Sequence, residues 1–182
     1  MSRKEVYSDL ELLEGCRKNE RRYQELLYRK YAKKMYSICL SYAKDRPMAQ
    51  DILQDGFVKV FKKIKSFKGE GSLEGWIRRI VINTSLDHLR KKSKEFEFID
   101  SNKEIEEEPV DKSILDKINS DGILKKVAEL PDGARTVFNL YAIEGYTHKE
   151  IAQKLKITEG TSKSQYKRAR AMLKELIKDY ME

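Results

Sequence analysis

The feature that most constrains this chain is a break in its pattern. Apolar residues recur at three- and four-residue spacing up to about residue 92, lose that spacing between residues 93 and 122, and recover it from 123 onward. Such spacing predicts amphipathic helices. The chain therefore reads as all-α, with two helical domains over 1–93 and 123–182 joined by an acidic linker over 94–122. Charge divides the same way. Residues 1–92 hold 22 basic and 12 acidic side chains, residues 93–122 hold 4 and 10, and residues 123–182 hold 12 and 8. Cationic domains attract polyanions, and nucleic acid is the commonest polyanion in a cytoplasm. A merely solubilising surface is the plainer alternative.

Length and composition narrow the class further. With 182 residues the chain suits small domains rather than a large enzyme, and its 3 Pro and 9 Gly leave long helices almost uninterrupted. Cys16 and Cys39 are too few for a disulfide scaffold or a four-cysteine metal site. No apolar run reaches membrane-spanning length and the N-terminus has no apolar signal core. The expectation is a cytoplasmic protein without direct membrane insertion.

In the first domain, Ser8 is placed to cap a short helix near residues 9–18. A long helix follows, with Tyr23, Leu26, Leu27, Tyr31, Met35, Ile38, Cys39 and Tyr42 inward, and should stop near Asp45 because Pro47 disfavours helical geometry at Arg46. Pro47 suits the first turn of the next helix, which carries Ile52, Leu53, Phe57, Val60, Phe61 and Ile64. The stretch SFKGEGS (66–72) is a loop, and Ser72 can cap a fourth helix with Leu73, Ile77, Ile80, Val81, Thr84 and His88 inward. These make a bundle of about four helices.

The last 60 residues carry the strongest motif. Pro131 starts a helix bearing Val137, Phe138, Leu140 and Tyr141, and Gly145 ends it in the left-handed region. Thr147 and Glu150 form a capping box, with Tyr146 and Ile151 placed for a hydrophobic staple. A three-residue turn, Lys156-Ile157-Thr158, leads into a final helix with Tyr166, Ala169, Met172, Leu173, Leu176 and Ile177 inward. Small Ala152 lets the two helices approach, and Ile157 is expected to plug the corner. This is a helix-turn-helix arrangement. The second helix begins with short polar residues that can enter a DNA major groove. Lys163, Ser164 and Gln165 are candidates for base edges or phosphates, and Lys167, Arg168 and Arg170 for the backbone. A packing hairpin with a solvated basic face is the alternative. Two residues depart from the ideal motif: Lys156 where Gly would adopt the left-handed region without strain, and Ser162 where an aliphatic side chain would pack better.

Two faces of the first domain stand out. Trp76, Arg79, Asn83, Asp87 and Arg90 share the side of the fourth helix opposite its apolar stripe. An aromatic ring beside cations suits stacking on unpaired bases, with Lys91, Lys92 and the loop from Lys65 to Ser72 adding charge and reach. The alternative places Trp76 in the core. On the preceding helix, Asp51 and Asp55 lie four apart with Gln54 beside them, an acidic patch that could meet a basic protein partner or be a casual surface pair.

These residues together resemble a family. The chain is similar to sigma factors of the sigma-70 family, in the short extracytoplasmic-function (ECF) group. Residues 20–92 resemble region 2 through DILQDGFVKVFKKIKSF followed by GSLEGWIRRIVINTSLDHLRK. Residues 123–178 resemble region 4 through LPDGARTVFNLYAIEGYTHKEIAQKLKITEGTSKSQYKRARAML. The resemblance implies that Asp51, Gln54, Asp55 and Phe57 dock on the clamp helices of the largest subunit of core RNA polymerase. It implies that the helix bearing Trp76, Arg79, Asn83, Asp87 and Arg90 melts and reads the −10 element of promoter DNA. The loop from Lys68 to Ser72 would hold a flipped base. Lys163, Ser164, Lys167 and Arg168 match positions that contact the −35 element, and region 4 would also rest on the polymerase flap. The linker would run toward the active site and RNA exit, its negative charge mimicking RNA. An anti-sigma factor, often membrane-anchored, is the implied regulator.

Two other functional classes fit the sequence less well. A helix-turn-helix regulator acting without polymerase would carry a ligand pocket or phosphoacceptor in its first domain, which the Trp76 face and the basic charge argue against. An enzyme would need a catalytic constellation. The two histidines, His88 and His148, fall on separate domains, His88 on an inward stripe and His148 in an exposed first turn. No phosphate loop and no metal-ligand spacing occurs, so no cofactor is expected.

Overall fold

The computed structural model describes residues 7–92 and 126–181, with backbone alone at 91–92 and 177–181. It divides into two units, Met1–His88 and Leu89–Glu182. Every described element is helical. The expected linker, residues 94–122, lies outside the described residues.

The first unit holds α1 (Asp9–Arg17), α2 (Arg21–Tyr42), α3 (Arg46–Lys63), a 3₁₀ turn (Ile64–Ser66) and most of α4 (Leu73–Lys92), which runs past the boundary at His88. Ser8 caps α1 in a full capping box. Its hydroxyl accepts the Glu11 N–H at 3.2 Å, and its own N–H donates to the Glu11 carboxylate at 2.8 Å. Helix α2 has no side-chain cap and is held by its buried stripe of Leu27, Tyr31, Met35, Ile38, Cys39 and Tyr42. It ends at Tyr42, sooner than expected, because Asp45 belongs to the next helix: its carboxylate accepts the Met48 N–H at 2.8 Å, with Pro47 in the first turn. Helix α3 meets α4 closely at Gly56, where an added Cβ would lie 3.2 Å from a Val81 methyl. Glycine costs α3 helix propensity at this position and permits that approach. Helix α4 buries more of its circumference than the expected stripe: Ile82, Ser85, Leu86 and Leu89 join Leu73, Ile77, Val81 and Thr84 inside. The Thr84 and Ser85 hydroxyls are satisfied by donating to carbonyls one turn back.

The second unit holds α5 (Asp132–Phe138), a π turn (Asn139–Ile143), α6 (His148–Leu155) and α7 (Glu159–Met181). The single helix expected from Pro131 to Gly145 widens halfway: the Glu144 N–H reaches back five residues to the Asn139 carbonyl. Gly145, at φ 74°, then ends the run. Thr147 and Glu150 form the expected capping box. Lys156 does adopt the left-handed conformation, at φ 57° and ψ 46°, and the Thr158 hydroxyl receives the Thr161 N–H at 3.0 Å as α7 begins. Ile157, expected to plug the corner, is only half-buried. The deep contacts come from Ile151, Ala152, Phe138, Tyr166 and Ala169.

Candidate functional site

In the first unit two faces of opposite chemistry stand on adjacent helices. On α3, Asp51, Gln54 and Asp55 are all exposed, as expected of a docking surface. Phe57 is not: it is 3% exposed, packed against Tyr28 at 4.8 Å between ring centroids. Its position falls on the buried side of α3, so it supports the face from behind rather than forming part of the exposed surface. Val58, at the seventh position after Asp51, is 45% exposed on α3. That spacing returns to the same side of a helix, so the signal is present in the sequence although Val58 is not among the residues singled out there.

On α4, Arg79, Asn83 and Arg90 are exposed, whereas Trp76 and Asp87 are half-buried. Trp76 resolves the two alternatives between them. One part of the indole lies against Phe67, 5.4 Å between ring centroids, and the rest stays accessible. Asp87 accepts from Lys59 of α3 at 3.0 Å, which balances a carboxylate in an otherwise cationic face. The loop before α4 presents Lys68 to Ser72 to solvent, with Gly69 at φ 82° and Gly71 at φ 80°. Its far end is fixed by Ser72, whose hydroxyl accepts the Gly75 N–H at 3.0 Å.

His88 is half-buried rather than packed inside. Its Nε2 lies 2.8 Å from an Asp55 carboxylate oxygen. Together with the Lys59–Asp87 pair, this straps the α3 face to the α4 face across the Gly56–Val81 seam.

In the second unit, Lys167 and Arg168 are exposed on α7, and Lys163, Ser164 and Arg170 are half-buried. The Arg170 guanidinium lies 6.0 Å from the Tyr166 ring. Tyr166 itself is buried, which pushes its hydroxyl pKa up against the opposing pull of Arg170. Gln165 corrects the expectation: it is 4% exposed. Two residues on from Lys163, it lies on the far side of α7 and packs inward with Ser162, Tyr166 and Ala169. It is no reader of bases in this geometry.

Sequence reasoning also misplaced His148. It is half-buried, stacked on Tyr141 at 4.3 Å and 14°, with its Nδ1 2.9 Å from the Ser162 hydroxyl. The apparent weakness at Ser162 is thereby explained. Its hydroxyl, fully buried, finds its partner on the neighbouring helix, and the π turn carries Tyr141 to the other side of the imidazole.

The chemistry of the described residues offers little to catalysis. Burial pushes the Cys16 thiol up to about 11 and the Cys39 thiol up to about 12, so neither is a thiolate near neutrality. Among the described residues no group of three His, Cys, Asp or Glu is placed to hold a metal ion.

Comparison with known proteins agrees with this arrangement. Residues 27–95 match the family model for sigma-70 region 2, and residues 120–173 match that for sigma-70 region 4. The RNA polymerase sigma-H factor of Pseudomonas aeruginosa is 27% identical over 174 residues, covering 89% of this chain and 90% of the relative. The ECF RNA polymerase sigma-E factor of Haemophilus influenzae is 26% identical, with 97% and 99% covered. SigW of Bacillus subtilis, also an ECF RNA polymerase sigma factor, is 28% identical, with 82% and 86% covered. Two solved structures share the fold. CnrH in complex with the cytosolic domain of CnrY has a TM-score of 0.51 at 20% identity, with 94% and 97% covered. The sigma factor RpoE with the anti-sigma factor NepR, from Bartonella quintana, has a TM-score of 0.50 at 23% identity, with 85% and 96% covered.

Proposed function

The chain belongs to the sigma-70 family, in its ECF group, and we propose that its two units are separate readers of one promoter, useful only when core RNA polymerase holds both. The observation that carries this is the strapped pair of faces on α3 and α4. The acidic α3 face, Asp51, Gln54, Asp55 and Val58, docks on polymerase. The α4 face, Trp76, Arg79, Asn83 and Arg90, with the loop Lys68–Ser72, takes the −10 element as single strand. On α7, Lys163, Ser164, Lys167, Arg168 and Arg170 take the −35 element.

Each unit alone makes few phosphate contacts, and such contacts weaken steeply with salt. Held on one large body, the two bind as a linked pair, and effective concentration raises their joint affinity without new contacts. Strand opening requires no nucleotide hydrolysis in this scheme. Unpaired bases stacked on Trp76 and gripped by the loop offset the stacking lost from the duplex. The chain itself performs no catalytic step. The segment 94–122 passes through the polymerase toward the RNA exit. An anti-sigma factor is the regulatory partner, as for the RpoE structure of the same fold, and the protein works in the cytoplasm. No described helix is long and apolar enough to cross a membrane.

The test is transcription in vitro with purified core polymerase on a randomised promoter library at low ionic strength. The reading expects selective transcripts and a stable complex with core, weakened by Asp51→Lys with Asp55→Lys. A chain that binds DNA and ignores core would instead be a regulator acting without polymerase.

A further inference from the structure

We propose that Arg17, at the end of α1 and outside both matched family segments, is a positioning residue that holds the loop before α4 in its binding conformation. This rests on the assignment of that loop to the unpaired −10 strand. The loop's own residues do little to fix it. Lys68 to Ser72 are exposed, and at both Gly69 and Gly71 an added Cβ would meet nothing within 4 Å. Its shape is therefore set at its two ends. The far end is clamped locally by Ser72 on the first turn of α4.

The near end is clamped from another helix. The Arg17 guanidinium, through Nη2, donates to the backbone carbonyl of Phe67, the residue from which the loop departs. Phe67 is otherwise buried, its N–H bonded to the Ile64 carbonyl and its ring against Trp76. One arginine thus fixes the loop's origin and, through Phe67, the aromatic surface beside it. The rest of the guanidinium argues against a role internal to α1: its Nε–H is buried and meets no acceptor among the described residues. A buried donor without a partner is costly and uncommon. The side chain is placed for the loop carbonyl, not for its own best hydrogen bonding.

A charged donor on a carbonyl is among the stronger hydrogen bonds, and its loss should loosen the loop enough to weaken strand capture about tenfold. The probe is a fluorescein-labelled forked duplex, double-stranded at −35 and single-stranded at −10, taken from the most active promoter of the library, bound by holoenzyme. Arg17→Met keeps the apolar stem packing and removes the donors, and Arg17→Lys returns one donor. The expected result is weaker fork binding for Arg17→Met, recovery with Arg17→Lys, unchanged core affinity, and faster hydrogen exchange at amides 68–71 in the free protein. If Lys68→Ala with Ser72→Ala weakens fork binding while Arg17→Met binds like the parent, the positioning role is wrong and the loop assignment stands. If the loop variant also binds like the parent, the loop assignment fails and takes the inference with it.

Discussion

The bond between His148 and Ser162 gives the sharpest test of how the helix-turn-helix is held. Ser162 is fully buried, and its hydroxyl lies 2.9 Å from His148 Nδ1. Ser162→Ala removes that bond, a net loss of about 1 kcal/mol, partly offset by roughly 0.5 kcal/mol of better helix propensity. His148→Ala removes the same bond and also the stack on Tyr141, for a total of about 2 kcal/mol. If the bond is real and shared, the double variant falls short of the sum by about 1 kcal/mol. Ser162→Val is the control for plain apolar packing. It loses the bond and adds bulk at a fully buried position, so it should be the least stable of the position-162 variants.

The assay is hydrogen exchange of the α7 amides in the full chain, where 1 kcal/mol of local stability changes protection about fivefold. The sole tryptophan, Trp76, belongs to the other unit. Its fluorescence-detected unfolding should therefore not move in any of these variants, which separates a local effect from general damage. A coupling near zero, or a Ser162→Val protein as protected as the parent, would show that the seam is ordinary apolar packing and the imidazole a bystander.

Lys156→Gly should stabilise the second unit by about 1 kcal/mol, because it relieves a left-handed lysine at the turn; slower exchange in α6 and α7 checks this, and faster exchange refutes it. The two capping boxes should make helix starts acid-sensitive. Bonds from the Ser8 side chain and backbone hold Glu11 below its ordinary value, and bonds from the Thr147 backbone and side chain do the same for Glu150. A depressed carboxyl contributes stability above its unfolded value of 4.5 and loses it as pH falls through the lower native value, so fraying of α1 and α6 by NMR should begin below pH 4.5, and Glu11→Gln and Glu150→Gln should abolish the pH dependence. Lys163→Ala with Arg168→Ala should reduce transcription from −35-dependent promoters about tenfold or more while leaving core affinity intact; equal loss of both would argue against reading by α7.

Local rules made most of the fold legible. Caps at Ser8 and Thr147, the stop at Gly145 and the left-handed strain at Lys156 each follow from one or two neighbours in sequence, and each is present in the structure. What escaped were features that depend on a second helix. Phe57 and Val58 are adjacent apolar residues, and only the position of α2 makes one core and the other surface. Gln165 is polar, and polarity alone placed it outside; its burial follows from the angle at which α7 meets its neighbours. His148 and Ser162 are 14 residues apart, each a poor fit to its site alone and a good fit as a pair. Arg17 and Phe67 are 50 apart, a separation at which sequence spacing carries no information.

The pairing of His88 with Asp55 and of Lys59 with Asp87 bears on how the first unit works. Asp55 belongs to the proposed docking face and Asp87 to the helix proposed to read the strand, yet each is tied to the other's helix. Exposed pairs of this kind add little stability, typically below about 1 kcal/mol each. Their consequence is geometric. Helices α3 and α4 also approach closely at Gly56, where an added Cβ would lie 3.2 Å from a Val81 methyl. A partner that seizes the α3 face would therefore fix the orientation of α4 as well, and under the proposed function the polymerase need not touch the α4 face in order to aim it. If the docking surface of the partner is basic, as the proposed function requires, the cationic α4 face is repelled by it and the acidic α3 face is attracted, which favours one orientation of the unit.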